Sequence, residues 1–239
     1  MKSPRALVVL SGGQDSVTCL YWAMERFPEV EALSFDYGQR HRVELEGASA
    51  ICREEGILHR IVSADVLGAL APSALTDTSI AVSETGGMSG LPSTFVPGRN
   101  ALFLTMAAAY AVPRGIKDIV IGACEADSSG YPDCREEFLK SQQLTLSLAL
   151  GVTIHLHRPL VNLNKSEIFT MADQLGRLDD VIQKTHTCYE GVRDTLHAWG
   201  YGCGVCPACT LRKRGFEAFQ TMKNRSESYG TSRGQTDSL

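Results

Sequence analysis

Two clusters in this sequence have residue types and spacing suited to chemistry. The first is Ser11-Gly12-Gly13-Gln14-Asp15-Ser16, directly after the apolar Leu10. Adjacent glycines let a backbone turn tightly and approach a ligand with no Cβ in the way. The amides that open a following helix are unpaired donors at the positive end of its dipole. With the Ser11 and Ser16 hydroxyls they make a nest for phosphate oxygens. No Gly-Lys-Ser/Thr follows, as a Walker loop requires, and the third glycine of a dinucleotide fingerprint is missing. A glycine turn that merely joins strand to helix needs neither the flanking hydroxyls nor Asp15. Leu10 to Ser16 is therefore expected to hold the phosphates of a nucleotide.

The second cluster is Cys188, Cys203, Cys206 and Cys209, half of the 8 cysteines in the chain. Two consecutive Cys-x-x-Cys turns put three thiolates on a tight knuckle, and Cys188 closes a tetrahedron from an earlier segment. Four thiolates suit zinc and leave no open position for activating water, so the expected role is a structural staple. A four-thiolate iron–sulfur cluster fits the same spacing.

Four loops are rich in polar residues. Asp36-Tyr37-Gly38-Gln39-Arg40-His41 has an acid and an aromatic that can read an adenosine, although a His-Arg pair at a helix start is more often a solvated cap. In Phe95-Val96-Pro97-Gly98-Arg99-Asn100, Arg99 offers a bidentate fork for a carboxylate or phosphate, and Asn100 is a good N-cap. The stretch from Gly122 to Arg135 carries Glu125, Asp127 and Asp133 with Tyr131. A carboxylate there can accept from a guanine-like ring on which Tyr131 stacks, and Asp133 also suits a cap for the next helix. Lys165 opens a late helix, where its charge opposes the dipole unless an anion or solvent compensates it.

These loops need a scaffold that gathers them. Arg5–Leu10, Val30–Phe35, His59–Val62, Asp118–Gly122 and Val152–His157 read as strands. Asp15–Phe27, Arg42–Glu55, Asn100–Val112, Arg135–Leu150 and Lys165–Leu175 read as helices. This alternation predicts an α/β fold: a parallel sheet covered on both faces, with ligands beyond the carboxyl ends of its strands. A smaller, mostly helical metal-containing lobe should come after it, giving a nucleotide domain over 1–175, a lobe over 176–223 and a polar tail over 224–239. The segment 65–94, rich in Ser, Thr and Gly, suits a lid or binding loop.

Composition narrows the function. With 44% hydrophobic and 21% charged residues the chain is expected to be globular. A net charge of −4 gives no field for coating nucleic acid. The apolar run Ala6–Leu10 is too short for a signal or a membrane span, so a soluble, cytoplasmic protein is expected, with no membrane or nucleic-acid partner.

The phosphate loop resembles the SGGxDS loop with which N-type ATP pyrophosphatases grip the pyrophosphate of ATP. SGGQDS, DYGQRH, FVPGRN, SGYPDCR, NKSEI and CGVCPACTLR occur in this order over about residues 6 to 215. That series is similar to the 7-cyano-7-deazaguanine synthase family of queuosine precursor biosynthesis. The resemblance implies a homodimer with a nucleotide-hydrolase-like core and a structural zinc on Cys188, Cys203, Cys206 and Cys209. It also implies an ATP-dependent carbon–nitrogen ligase acting on 7-carboxy-7-deazaguanine, ammonia and ATP with magnesium. Leu10 through Ser16 would hold ATP, Arg99 and Lys165 would neutralise charge, Asp127 and Asp133 would hold the base or the metal, and Asn100 and Tyr131 would bind substrate. Val17 and Thr187 depart from the family's usual Thr and Ser. A tRNA-thiolating relative or another amidotransferase would share the phosphate loop; thiolation would need a reactive cysteine such as Cys124 or Cys134. An ATP-sensing or zinc-stapled nucleic-acid module also fits the two clusters, against the acidic balance.

Overall fold

The computed structural model describes residues 4–125 and 130–231, with side chains through residue 225. Strands β1 (Arg5–Val9), β2 (Glu29–Asp36), β3 (Leu58–Ser63), β4 (Asp118–Ile121) and β5 (His155–His157) form one sheet. Its order is β3-β2-β1-β4-β5 and every pairing is parallel. The unbroken apolar run of β1 suits a central strand buried on both faces. Ala6 and Val8 enter one apolar core with Leu10, while Leu7 enters the other.

Helices α1 (Gln14–Met24) and α2 (Val43–Glu54) cover one face; Val17, Leu20, Ala48 and Ile51 supply its core. A short helix, α3 (Val66–Leu70), comes after β3. Helices α4 (Arg99–Ala111) and α5 (Glu136–Leu150) cover the opposite face through Phe103, Leu104, Ala107, Leu139 and Leu146. The chain steps outward from β1 to β2 and β3, then returns to pair β4 with β1. The adjacent carboxyl ends of β1 and β4 are therefore the switch point where a crevice opens.

Helix α6 (Lys165–Gln174) joins the sheet to the C-terminal part of the chain. Ile168 and Ala172 belong to the α1–α2 core, while Phe169 turns into a third core with Trp199, Phe216 and Phe219. This last core is built by α7 (Leu178–Lys184), the two-stranded ladder of β6 (Leu196–His197) and β7 (Gly200–Tyr201), and α8 (Pro207–Thr231). Gly215 lets α8 lie directly on α6, since a Cβ there would come within 2.3 Å of Lys165 Cβ.

Two sequence expectations change. Helix α1 ends at Met24 rather than at Phe27, because the Arg26 and Phe27 amides both close on the Ala23 carbonyl and Phe27 then packs against Trp22 and His157. The polar stretch from 224, read as a tail, is helical through Thr231 as the end of α8. The segment 65–94 also reaches the core: Leu67 and Leu75 are buried, and Ser93 ties the segment together through the Ala81 carbonyl and the Ser83 amide. Among the described residues no helix is long and apolar enough to cross a membrane.

Phe169 is fully buried, with its ring 5.2 Å from Phe216 and 6.1 Å from Phe219. Phe169→Ala is expected to cost about 3–5 kcal/mol, read as a lower midpoint in urea unfolding with an unchanged slope.

Candidate functional site

The phosphate loop sits at the switch point and is organised by its own hydroxyls. Ser16 Oγ accepts from the Ser11 amide at 3.1 Å and the Gly12 amide at 3.2 Å, and it lies 3.0 Å from Ser11 Oγ. Ser11 Oγ in turn accepts from the Gly13 amide at 3.2 Å. Both hydroxyls, expected to face phosphate, thus serve first to hold the loop's curve. Gly12 has φ +93°, and a Cβ on it would fall 2.1 Å from the Glu44 carbonyl oxygen, so only glycine fits. The His186 amide donates to the Gly12 carbonyl at 3.1 Å, which ties the loop to the chain just before the cysteine knuckle. Gln14 is fully buried, and both of its amide atoms lack a partner among the described residues.

Asp15 receives Lys165 Nζ on both carboxylate oxygens, at 2.8 and 2.6 Å. The anion that compensates Lys165 at the start of α6 is therefore Asp15 itself, and the pair bridges 150 residues of sequence. Asn164 caps α6 through the Ser166 and Glu167 amides, and Glu167 returns the bond, so the dipole is served independently of Lys165.

Beside the loop lies a cavity of about 220 Å³. Val9, Phe35, Phe103 and Ile121 give it apolar walls; Ser11, Ser16, Arg99, Asn100, Tyr131 and Tyr189 add polar groups. Arg99 Nη1 lies 3.5 Å from Tyr37 Oη, with its guanidinium 5.9 Å from the Tyr37 ring centre. Tyr131 Oη bonds Thr94 Oγ1 at 2.5 Å, which fastens the 65–94 segment to the cavity wall.

Asp133 has a different place from the one expected. Its Oδ2 accepts from the Asn100 amide at 3.1 Å, while Asn100 Nδ2 donates to the Asp133 carbonyl at 2.9 Å. Asp133 thus caps α4, not the helix after it in sequence, and it is absent from the cavity lining. Asn100 is not the N-cap of α4, since Gly98, at φ 75°, occupies that position. The arrangement presents Arg99 to the cavity. Asp127 lies outside the described residues.

His41 also corrects the sequence reading. It is buried at the cavity wall, not a solvated cap; Nε2 lies 3.6 Å from Glu44 Oε2, and Nδ1 is buried with no partner among the described residues. Burial, reinforced by the Arg99 charge, pushes its imidazole down to about 4, so it is neutral near pH 7. Glu44, equally buried, is the only carboxylate lining the cavity among the described residues. Sequence reasoning missed it because acids are common in a first helical turn. The available signal was position: Glu44 shares a helix face with Ala48 and Ile51 at i+4 and i+7.

The four knuckle cysteines come together as expected, with their sulfurs all within 4.8 Å of one another. A zinc–sulfur bond of about 2.3 Å implies tetrahedral edges of about 3.8 Å, so the donor set fits a four-coordinate metal. Gly202 makes room for it, because a Cβ there would lie 2.5 Å from Cys209 Sγ. Arg212, fully buried and also missed, donates to the Trp199 carbonyl at 2.7 Å, Thr187 Oγ1 at 2.7 Å and the Val181 carbonyl at 2.9 Å. Thr187 keeps the hydroxyl that this bond requires. Val17 points into the apolar core and away from the loop, so its missing hydroxyl removes nothing there. Of the two remaining thiols considered for sulfur chemistry, Cys124 is buried against the Leu163 carbonyl, and burial pushes Cys134 up to about 12.

A parallel sheet with a glycine loop at its switch point, opening on a half-apolar cavity with a guanidinium at its wall, is the architecture of the α/β nucleotide-binding class, here with a separate knuckle of four cysteines whose sulfurs suit a metal. Its sequence places it more narrowly: the chain belongs to the family described as queuosine biosynthesis protein QueC, whose profile matches residues 5–220. It is 52% identical over 219 residues to the 7-cyano-7-deazaguanine synthase of Lysinibacillus sphaericus strain C3-41, covering 92% of this chain and 97% of that protein. It is 50% identical over 232 residues to the enzyme of that name from Burkholderia ambifaria strain MC40-6, covering 90% and 92%. The Clostridium acetobutylicum enzyme of the same name is 49% identical over 218 residues, covering 91% and 96%.

The His41 environment has a measurable consequence. Because its folded value lies below the ordinary 6.5, the unfolded chain takes up a proton first as pH falls. The stability associated with neutral His41 is complete above about pH 6.5 and is lost progressively toward about pH 4. The imidazole should titrate near pH 4 by NMR, and His41→Gln should lose less stability than the parent protein across that window.

Proposed function

We propose that the protein is an ATP-dependent carbon–nitrogen ligase that converts 7-carboxy-7-deazaguanine and ammonia to 7-cyano-7-deazaguanine. The observation that carries this reading is identity of about half over nearly the full length of enzymes with that name. The cavity supports it: it joins a phosphate-binding loop to aromatic and cationic groups suited to a flat, carboxylated base.

In this reading the amides of the loop from Leu10 to Ser16 receive the phosphates of ATP, and the Asp15–Lys165 pair sets charge at their edge. Magnesium, as the partner of ATP, would neutralise the departing pyrophosphate. Arg99 meets the substrate carboxylate or the α-phosphate, while Asn100 and Tyr131 line the base site. Asp133 is a positioning residue that holds Asn100, and through it the start of α4. The carboxylate oxygen attacks the α-phosphorus, pyrophosphate leaves, and an acyl adenylate results. Ammonia displaces AMP to give the amide. A second adenylation, on the amide oxygen, releases pyrophosphate and one proton from nitrogen, and loss of AMP with the remaining nitrogen proton gives the nitrile. Most of the acceleration comes from placement and charge neutralisation.

Zinc on Cys188, Cys203, Cys206 and Cys209 is the structural metal of this proposal; it supplies four bonds that hold the C-terminal lobe. A homodimer belongs to the same reading. Elemental analysis and light scattering read these two points directly.

With MgATP, ammonium and 7-carboxy-7-deazaguanine, mass spectrometry should find the nitrile. Arg99→Ala should lower its rate by about 100-fold or more, the scale of losing one charge-stabilising donor. Unchanged turnover in Arg99→Ala would remove that assignment, and no product from the parent protein would remove the substrate.

A further inference from the structure

We propose that Glu44 and His41 form the ammonium site of this enzyme and that the Glu44 carboxylate takes the proton that turns bound ammonium into the attacking ammonia. The inference rests on the ligase reading and supplies what that reading lacks, an acceptor for the proton of the nucleophile.

Three observations converge on the pair. Glu44 is the only carboxylate in the wall of the cavity among the described residues, and no more than 11% of its side chain is accessible, so it is open to the cavity rather than to bulk water. Its Oε1 lies 3.8 Å from where a Cβ on Gly13 would be, which places it against the phosphate loop. His41 Nδ1 is buried at the same wall without a partner among the described residues, so a neutral imidazole can offer a lone pair there.

The charges agree with this assignment. A carboxylate beside an anion-binding loop repels phosphate, and a small cation seated against it removes that conflict. The groups that act on Glu44 are Arg99 from α4, Arg212 from α8, Asp15 from α1 and the Cys188 sulfur. Burial outweighs the two arginines and pushes the Glu44 carboxyl well above its ordinary value, bringing it closer to ammonium as a proton acceptor. The step balances: ammonium gives one proton to Glu44, the nitrogen lone pair forms the C–N bond, and the C–O bond to the adenylate phosphate breaks. AMP leaves with that electron pair, and the second proton lost from nitrogen passes to the departing phosphate or to water.

The test separates activation of the carboxylate from its capture by nitrogen. Adenylation is read by exchange of labelled pyrophosphate into ATP with the carboxylated deazaguanine and no ammonium. Capture is read with ammonium, as amide plus nitrile, and with hydroxylamine, as hydroxamate; hydroxylamine is already neutral at pH 7 and needs no base to become nucleophilic. Glu44→Gln should cut capture of ammonium by about 100-fold, the scale of a lost general base, with exchange and hydroxamate formation persisting. Glu44→Asp should recover part of the ammonium reaction. Loss of exchange along with amide would place Glu44 on ATP or its metal and overturn the proposal; equal losses with ammonium and hydroxylamine, or no loss, would also overturn it. Failure of the parent protein to exchange pyrophosphate with this substrate would refute the ligase reading instead.

Discussion

The approach of Gly12 to helix α2 is the contact on which the site depends. With a Cβ position 2.1 Å from the Glu44 carbonyl oxygen, no other residue can occupy that point while the helix stays where it is. The loop is held from two further directions: the His186 amide fixes the Gly12 carbonyl, and Lys165 grips Asp15 at the first turn of α1. Each clamp comes from a segment far away in sequence. A phosphate nest therefore exists in a definite shape only when the sheet, α2, α6 and the stretch before the cysteine knuckle have all docked.

This gives the C-terminal lobe a physical connection to the nucleotide loop. Arg212 gathers the Val181 and Trp199 carbonyls and the Thr187 hydroxyl, so the strand-like stretch that carries His186 is anchored next to the metal knuckle. Gly215 lets α8 press on the backbone of α6 at Lys165. The lobe that carries the four cysteines supplies one of the three clamps on the loop, through His186, and backs a second where α8 lies on α6 at Lys165. Burying Arg212 is tolerable because its guanidinium finds three oxygen acceptors.

Periodicity made the layered sheet legible. Arg5–Leu10, Val30–Phe35 and Asp118–Gly122 were short stretches rich in apolar residues, each leading toward a helical pattern, and the switch-point position of the loop came from that alternation. The cysteine cluster was legible because ligand spacing is local. The polar residues of the cavity were only partly so. Arg99, Asn100 and Tyr131 stood in conspicuous loops, whereas the true partners of Lys165 and Asp133 lie 150 and 33 residues away. Helix caps and ion pairs of such separation leave no spacing signal, so Asp133 read as a cap for the wrong helix. Glu44 and His41 resemble surface residues in composition; only packing of α2 against the loop turns them inward. The end of α8 was missed because the stretch from 224 is polar, with no apolar stripe at helical spacing to signal it.

In the proposed reaction the loop at the switch point presents the α-phosphate to the oxygens of the substrate's carboxylate, twice in succession. Substrate carboxylate labelled with 18O at both oxygens tests this. Each round of adenylation must carry one carboxylate oxygen away on AMP, so every AMP released per nitrile should hold one labelled oxygen, with none in pyrophosphate or water. Label appearing in inorganic phosphate alongside ADP would contradict the account, since the attack would then have fallen on the γ-phosphate and the loop would be gripping ATP in another register.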